Sequence, residues 1–149
     1  PSSVHITSSW SPSMFLHRCT VEARSYELDA FGHLNHAVYL NYFEHARFQT
    51  LARYGILAEV IRQRGEGVHV VRVEVDYRRE VRQGAVLAID TGVEAFRKSS
   101  MTFHQVAVSD EAPEGPVVHA EARVTAVWIG PDGRPVRIPQ DVRQALGPG

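Results

Sequence analysis

Residues 29–36 read Asp-Ala-Phe-Gly-His-Leu-Asn-His and join a strand-like segment to a helix-like segment. A carboxylate, two imidazoles, a glycine and an asparagine lie within this short stretch, and asparagine often caps helices. The elements on either side of such a junction fix where its polar side chains point. The stretch therefore predicts a change from strand to helix and a candidate reactive site at the same place.

The chain before this junction, between residues 15 and 26, alternates with the period of a half-buried strand. One face carries Cys19, Val21 and Ala23, and the residues between them are polar or charged. We expect Cys19, the single cysteine of the chain, to be a small packing residue rather than a reactive thiol.

A long helix is predicted after the junction. Its apolar and aromatic residues recur at helical spacing, namely Tyr39, Phe43, Ala46, Thr50 and Tyr54. Gly55 is the natural end of this helix. Asn35 is predicted to cap its start, which would leave the amides of residues 36–38 unpaired at the positive end of the helix dipole.

Four valine-rich alternating segments follow, namely Val68–Tyr77, Val86–Ala95, Met101–Val108 and Val117–Ile129. Strands in series predict an uninterrupted antiparallel meander, and Asp141 is predicted to cap a last helical turn. Both the helix and the sheet must hide apolar faces from water. An α+β fold is therefore predicted, with about five antiparallel strands wrapped around one long central helix.

The length of 149 residues is that of one domain. Residues 1–13 are rich in serine and lack an apolar period, so we expect a disordered N-terminal extension followed by a single domain over residues 14–149.

The net charge of -1 offers no general attraction to nucleic acid or to an anionic membrane, so neither is expected as a partner. Apolar runs fall far short of the roughly 20 residues of a membrane-spanning helix. A single cysteine cannot form an internal disulfide, and we expect a cytoplasmic protein.

The chain resembles the hotdog-fold acyl-CoA thioesterases, specifically the 4-hydroxybenzoyl-CoA thioesterase-like family. The most specific similarity covers residues 26–36 and continues over residues 39–47, as in the family's aspartate–glycine–histidine–asparagine entry into the central helix. Residues 75–79, 98–100 and 133–135 are similar too. The resemblance covers most of residues 15–146 and implies a hotdog fold that hydrolyses an acyl-CoA thioester to a carboxylic acid and CoA.

Thioester hydrolysis needs a nucleophile or an activated water, together with donors aimed at the developing oxyanion. By resemblance, Asp29 is the catalytic carboxylate, acting either as a nucleophile through a transient anhydride or as a general base on water. His36 corresponds to the position whose backbone amide donates to the oxyanion, and a role for its side chain stays open. Gly32 would allow the loop to turn with positive φ and bring the thioester close to the backbone.

Substrate contacts are predicted on both sides of this centre. Tyr39 and Phe43 follow it on one side of the helix. This aromatic face is expected to belong to the core first, and it would shape the acyl pocket second. The phosphates of CoA require cations, and the basic residues available at strand ends are Arg72, Arg78, Arg79, Arg82, Arg97 and Lys98. Such charges usually form a solvated face, and the best candidates for nucleotide contacts are Arg97, Lys98 and Ser99. CoA is part of the substrate, and no further cofactor is expected.

Homo-oligomerisation is expected because a sheet wrapped around one helix leaves an open edge that a second copy can cover. In the family, two subunits join their sheets, active sites lie at the dimer interface, and two dimers often form a tetramer. The resemblance thus places residues of Tyr54–Arg64 or Val68–Tyr77 of one subunit near the other subunit's site.

Three alternatives compete with metal-free hydrolysis. Asp29, His33 and His36 are acceptable zinc ligands, although the family needs no metal and none is expected here. A hotdog-fold hydratase or dehydratase would use an aspartate–histidine pair, but the usual proline before the histidine is absent. A non-catalytic acyl-CoA-binding module is the third reading. The sequence leaves open the acyl group, and whether CoA or acyl carrier protein is the donor.

Overall fold

The computed structural model describes residues 15–110 and 115–147, so the disordered extension predicted over residues 1–13 lies outside the described residues. The described residues form five β-strands and three α-helices. In chain order these are β1 His17–Glu22, α1 Val38–Arg53, α2 Ala58–Gln63, β2 Gly67–Tyr77, β3 Val86–Phe96, β4 Ser100–Ser109, β5 Val117–Ile129 and α3 Gln140–Leu146. A short 3-10 helix, Ser25–Glu27, lies between β1 and α1.

All five strands form one antiparallel sheet in the order β1-β3-β4-β5-β2. The α+β hotdog prediction is confirmed, but the uninterrupted meander is wrong. Strands β3, β4 and β5 do form a meander, whereas β2 pairs with β5 and becomes one edge of the sheet. Sequence spacing does not reveal this pairing. After β2 the chain crosses the sheet to β3, and it returns to the side of β2 only with β5.

The core lies between one face of the sheet and α1. Its buried side chains include Tyr39, Phe43, Ala46, Ile89, Phe103 and Val124. Cys19 and Val21 of β1 are half-buried against this core, so the prediction of Cys19 as a packing residue is confirmed. Burial raises the pKa of the Cys19 thiol, which keeps it in its neutral form.

The long helix is confirmed and ends at Arg53, before Gly55 with a φ of +81°. The cap is different, however, because α1 begins at Val38 and Asn35 lies before it. The Asn35 side chain accepts a hydrogen bond from the Ala37 amide at 2.8 Å, and its carbonyl accepts one from the Val38 amide at 3.0 Å. Asparagine thus forms a turn that leads into the helix instead of capping it.

The two short helices also differ from the predictions. Pro139 precedes α3, and Asp141 lies in the first turn rather than at the cap, since the fixed φ of proline already favours a helix start. The six-residue α2 was not predicted, because so short a segment contains no complete apolar period. No helix in the described ranges is long and apolar enough to cross a membrane.

Phe43 supplies a test of this core, because its ring is only 1% exposed. We expect Phe43→Ala to lower the free energy of unfolding by about 3–5 kcal/mol through lost burial and the cavity left behind. Chemical denaturation followed by circular dichroism measures this loss. Phe31→Ala is the control, since the ring of Phe31 is 83% exposed, and an equal loss in both variants would contradict this packing.

Candidate active site

Asp29 begins a small hairpin that links the 3-10 helix to α1. Leu28 and Leu34 pair across it, and the Asp29 amide donates to the His33 carbonyl at 2.7 Å. The Gly32 amide donates to the Asp29 carbonyl at 3.1 Å, and Gly32 has a φ of +78°. The positive φ predicted for Gly32 is confirmed, while its contact with substrate stays a prediction.

The carboxylate of Asp29 is oriented by the backbone of its own hairpin. Its Oδ1 accepts hydrogen bonds from the Phe31 amide at 2.8 Å and from the His33 amide at 3.1 Å. These amides, first that of His33 and then that of Phe31, lower the pKa of Asp29 because they stabilise the charged form. Within the described part of the chain, Oδ2 accepts no hydrogen bond. One oxygen is therefore fixed and the other is open for chemistry.

The hairpin is tied to its surroundings on two sides. The Leu34 amide donates to the Val81 carbonyl at 2.6 Å, which fixes the hairpin to the segment after β2. The Asn35 amide donates to the Glu27 carbonyl at 2.9 Å, and the Tyr42 hydroxyl donates to Glu27 Oε1 at 2.5 Å. The position of Asp29 is thus set by the 3-10 helix, α1 and the segment after β2 together.

A pocket of about 250 Å³ opens beside Asp29. Its lining residues are Asp29, His33, Leu34, His36, Tyr39, Tyr77, Arg78, Arg79 and Glu80. The structure therefore brings together three of the predicted site residues, Asp29, His36 and Tyr39. The segment at the end of β2 completes the wall, and the sequence did not predict its part in this pocket.

Tyr77 is the main residue that sequence reasoning missed. Its hydroxyl donates to the His36 carbonyl at 2.7 Å, and its ring packs edge-on against Tyr39 and His36, with centroids 5.2 and 6.2 Å away. Burial raises the pKa of Tyr77, so the hydroxyl stays protonated and able to donate. Its place in residues 75–79, a segment that resembles the thioesterase family, was a signal in the sequence. Only the position of β2 in the fold reveals its contact with His36.

Fewer backbone amides at the start of α1 are free to donate a hydrogen bond than the sequence predicted. Asn35 already occupies the amides of Ala37 and Val38. The His36 amide has no hydrogen-bond acceptor among the described residues. The prediction of an oxyanion site over residues 36–38 is therefore wrong for two of these amides, and the His36 amide stays as the candidate donor.

The His33 ring lines the same pocket but contacts Glu80 rather than Asp29. Its Nε2 lies 3.1 Å from Glu80 Oε2, and its amide rather than its ring contacts Asp29. In the ranges described, no three His, Cys, Asp or Glu side chains are grouped so that they could hold a metal ion.

Phe43 and the β3–β4 turn lie away from the pocket. Phe43 stacks behind Tyr39 with a centroid distance of 6.4 Å and is part of the core. The Arg97–Ser99 turn lies at the opposite end of the sheet, on the order of 30 Å along β3. Its carbonyls accept hydrogen bonds from Trp128, Ile138 and Arg143. Its predicted contact with CoA is not made within the Asp29 pocket of the same chain.

A larger and mainly apolar cavity of about 720 Å³ lies between α1, α2 and β2. Phe48, Leu57, Ile61, Val68, Val70 and Phe103 are among its lining residues. Arg47 also lines it, and its Nη1 donates to Gln105 Oε1 at 3.0 Å. Part of this wall comes from residues 54–64, the segment expected near a partner's site.

Comparison with known proteins agrees with this architecture. The sequence profile of the thioesterase-like superfamily matches residues 23–146. The chain is 30% identical over 131 residues to the acyl-acyl carrier protein thioesterase ATL2 of Arabidopsis thaliana, covering 88% of this chain and 68% of ATL2. It is 31% identical over 109 residues to the long-chain acyl-CoA thioesterase FadM of Escherichia coli, covering 73% of this chain and 80% of FadM.

Among solved structures, a 4-hydroxybenzoyl-CoA thioesterase mutant bound to 4-hydroxybenzoyl-CoA superposes with a TM-score of 0.80. The two are 17% identical, with 88% of this chain and 98% of that chain covered, so this likeness concerns the fold. The chain belongs to the thioesterase-like superfamily. The predicted family is thus confirmed, and so is the prediction of an enzyme of the thioester hydrolase class.

The hairpin makes a prediction about the charge of Asp29. Since the two amides favour the carboxylate, its pKa in the folded chain lies below the ordinary value of 3.8, and the charge persists as the pH falls toward that value. A carbon-13 NMR titration of the Asp29 carboxyl measures this midpoint, with the urea-unfolded chain as the control. A folded midpoint at or above the unfolded one would contradict the hydrogen bonds to Oδ1.

Proposed function

We propose that this protein hydrolyses acyl-CoA thioesters, releasing a carboxylic acid and CoA. One observation carries the proposal. The carboxylate of Asp29, with one oxygen fixed and one open, lines the same pocket as His36, whose backbone amide has no acceptor in the described part of the chain. A nucleophile or base beside an unused donor is the arrangement that attack on a carbonyl requires.

Asp29 can act in either of two ways, and both stay open. As a nucleophile, Oδ2 attacks the thioester carbon, the carbon–sulfur bond breaks, the thiolate leaves, and water then hydrolyses the mixed anhydride. As a general base, Oδ2 takes a proton from a water molecule, whose oxygen attacks the carbon directly. The carbon–sulfur bond then breaks, and the proton on Asp29 passes to the leaving thiolate. The low pKa of Asp29 keeps the carboxylate ionised for both routes, although it makes the carboxylate a weaker base.

The His36 amide is the proposed donor to the developing oxyanion. It precedes α1 by two residues, so the positive end of the helix dipole supports negative charge there. The hydrogen bond from Tyr77 to the His36 carbonyl holds this residue in place. Donors fixed before the reaction stabilise the oxyanion without reorganisation.

The acyl group is proposed to occupy the apolar cavity between α1, α2 and β2. Its volume of about 720 Å³ and its aliphatic and aromatic walls suit a hydrocarbon or aromatic group. No cofactor is proposed, because CoA enters as part of the substrate. A cytoplasmic location stays a prediction.

We also propose a homodimer joined through β2. This strand is an edge of the sheet, and its valines Val70, Val71 and Val73 are 47%, 62% and 44% exposed. An open, apolar edge of 11 residues is a template for pairing with a second copy. Leu40 and Phe48 on the outer side of α1 are exposed as well, so a partner would cover both elements. A tetramer of two such dimers stays a prediction.

The catalytic assignment predicts different outcomes at two positions. Asp29→Asn should abolish thiol release from a panel of acyl-CoAs, measured with a thiol-reactive dye. His36→Ala keeps the backbone amide and should retain activity within about tenfold, whereas His36→Pro removes this donor and should lose about 10²–10³-fold in kcat.

Proline is tolerated near helix starts, so His36→Pro should fold. Circular dichroism of this variant checks its folding. Full activity of Asp29→Asn would remove Asp29 from the mechanism. A loss in His36→Ala as large as that in His36→Pro would assign the role to the imidazole instead.

The dimer makes a separate prediction for Val73. Val73→Glu places a charge on the edge strand and should shift the protein to a monomer in sedimentation velocity. Val86→Glu is the matched control, since Val86 is 39% exposed at the start of β3, away from this edge. A monomeric wild-type protein, or dimers of equal affinity in all three proteins, would refute the β2 interface.

A further inference from the structure

A further cleft of about 550 Å³, separate from the apolar cavity, adjoins the Asp29 pocket. We call it the basic cleft. Its lining residues are Arg78, Arg79, Glu80, Val81, Arg82, Ala85, Ser109, Val117 and His119. Arg78, Arg79 and Glu80 line the Asp29 pocket as well, so the two cavities share a wall.

The cleft concentrates positive charge in a chain whose net charge is -1. Within residues 15–110 and 115–147, three arginines and one glutamate line it. Arg78 lies 3.4 Å from both Asp76 and Glu121, and Arg82 lies 3.1 Å from Glu80. Arg79, by contrast, has no carboxylate within ion-pair distance among the described residues. Its exposed guanidinium is thus the charge in the cleft that an anion can engage without displacing a protein carboxylate.

The backbone that carries Arg79 is fixed. The amides of Arg78 and Arg79 both donate to the His119 carbonyl, at 2.8 and 3.2 Å. The next residues are joined to the Asp29 hairpin through the hydrogen bond from Leu34 to Val81. The cleft and the proposed catalytic carboxylate therefore share one framework.

Glu80, the acid that lines the cleft among the described residues, is already engaged. Glu80 Oε1 accepts a hydrogen bond from Arg82, and Oε2 faces His33 Nε2 at 3.1 Å. The negative charge of Glu80 is thereby directed toward Arg82 and His33. An anion beside Arg79 therefore meets less repulsion than the sequence Arg-Arg-Glu-Val-Arg suggests.

We propose that the basic cleft binds the phosphate of the phosphopantetheine arm that carries the acyl group, with Arg79 as its principal contact. This inference rests on the proposed thioester hydrolysis, because such an arm joins the thioester to either carrier. A guanidinium pairs with phosphate through two parallel hydrogen bonds, which gives direction as well as charge. The shared wall allows the thioester to enter the Asp29 pocket while the phosphate stays in the cleft.

This assignment differs from the sequence prediction of nucleotide contacts at Arg97, Lys98 and Ser99. That turn lies at the other end of the sheet from Asp29 in the same chain. The arginine of that turn therefore supplies a matched control, being an exposed arginine outside the basic cleft.

The test compares thioesters that carry one acyl group on different arms. Acyl-pantetheine has no phosphate, acyl-4′-phosphopantetheine has one, and acyl-CoA and acylated acyl carrier protein complete the series. We expect the phosphate to raise kcat/KM by about tenfold, mainly through KM. Arg79→Gln should remove this advantage, so that the phosphorylated arm and acyl-pantetheine are hydrolysed with equal kcat/KM. Arg79→Lys should keep part of it, and Arg97→Gln should keep all of it.

Calorimetric binding of 4′-phosphopantetheine and pantetheine to Asp29→Asn separates this inference from the proposed function, because it needs no turnover. Tighter binding of the phosphorylated arm that is lost in Asp29→Asn/Arg79→Gln supports the cleft even if no thioester is hydrolysed. Hydrolysis with equal kcat/KM for both arms, or a phosphate advantage removed by Arg97→Gln instead, overturns it. The carrier that retains the higher kcat/KM identifies the source of the arm.

Discussion

Two backbone amides hold one oxygen of the Asp29 carboxylate, and the arrangement of the site follows from this interaction. A carboxylate on an exposed loop would otherwise rotate freely and present either oxygen. Because the Phe31 and His33 amides bind Oδ1, Oδ2 is left without a hydrogen bond among the described residues, and the pKa of Asp29 falls. The same turn requires positive φ at position 32, which glycine adopts without strain. Local backbone geometry thus supplies both the direction and the charge of the proposed catalytic group.

The end of β2 connects this turn to the rest of the molecule. Tyr77 holds His36 by its carbonyl, Val81 pairs with the hairpin, and Arg79 lines both cavities. The strand itself is a sheet edge with exposed valines, and in our proposal a second copy covers it. Dimer formation would therefore act on the same element that positions His36 and Arg79. Substitutions in β2 are therefore expected to change oligomeric state and catalysis together.

Much of the fold could be predicted from local patterns. The alternation in β1 and β3–β5 and the helical spacing of Tyr39 and Phe43 are short-range signals. The structure contains α1 and β3–β5 close to their predicted bounds, whereas β1 is shorter than the alternation over residues 15–26, which runs into the 3-10 helix Ser25–Glu27. The position of β2 beside β5 depends on pairing between distant segments, and no periodicity encodes it. For the same reason Asp29 and His36, seven residues apart, could be placed in one site, whereas Tyr77 and Arg79 could not. The prediction that Asn35 caps α1 was wrong because asparagine favours turns as well as helix caps.

The central claim is that a thioester is bound between Asp29 and the His36 amide. A crystal structure of Asp29→Asn with an uncleaved acyl-CoA tests it most directly. We predict the thioester oxygen about 2.7–3.1 Å from the His36 nitrogen. We also predict its carbonyl carbon within about 3–3.5 Å of the residue 29 side chain. A thioester bound out of reach of both groups, with the acyl chain ordered elsewhere, would contradict the account.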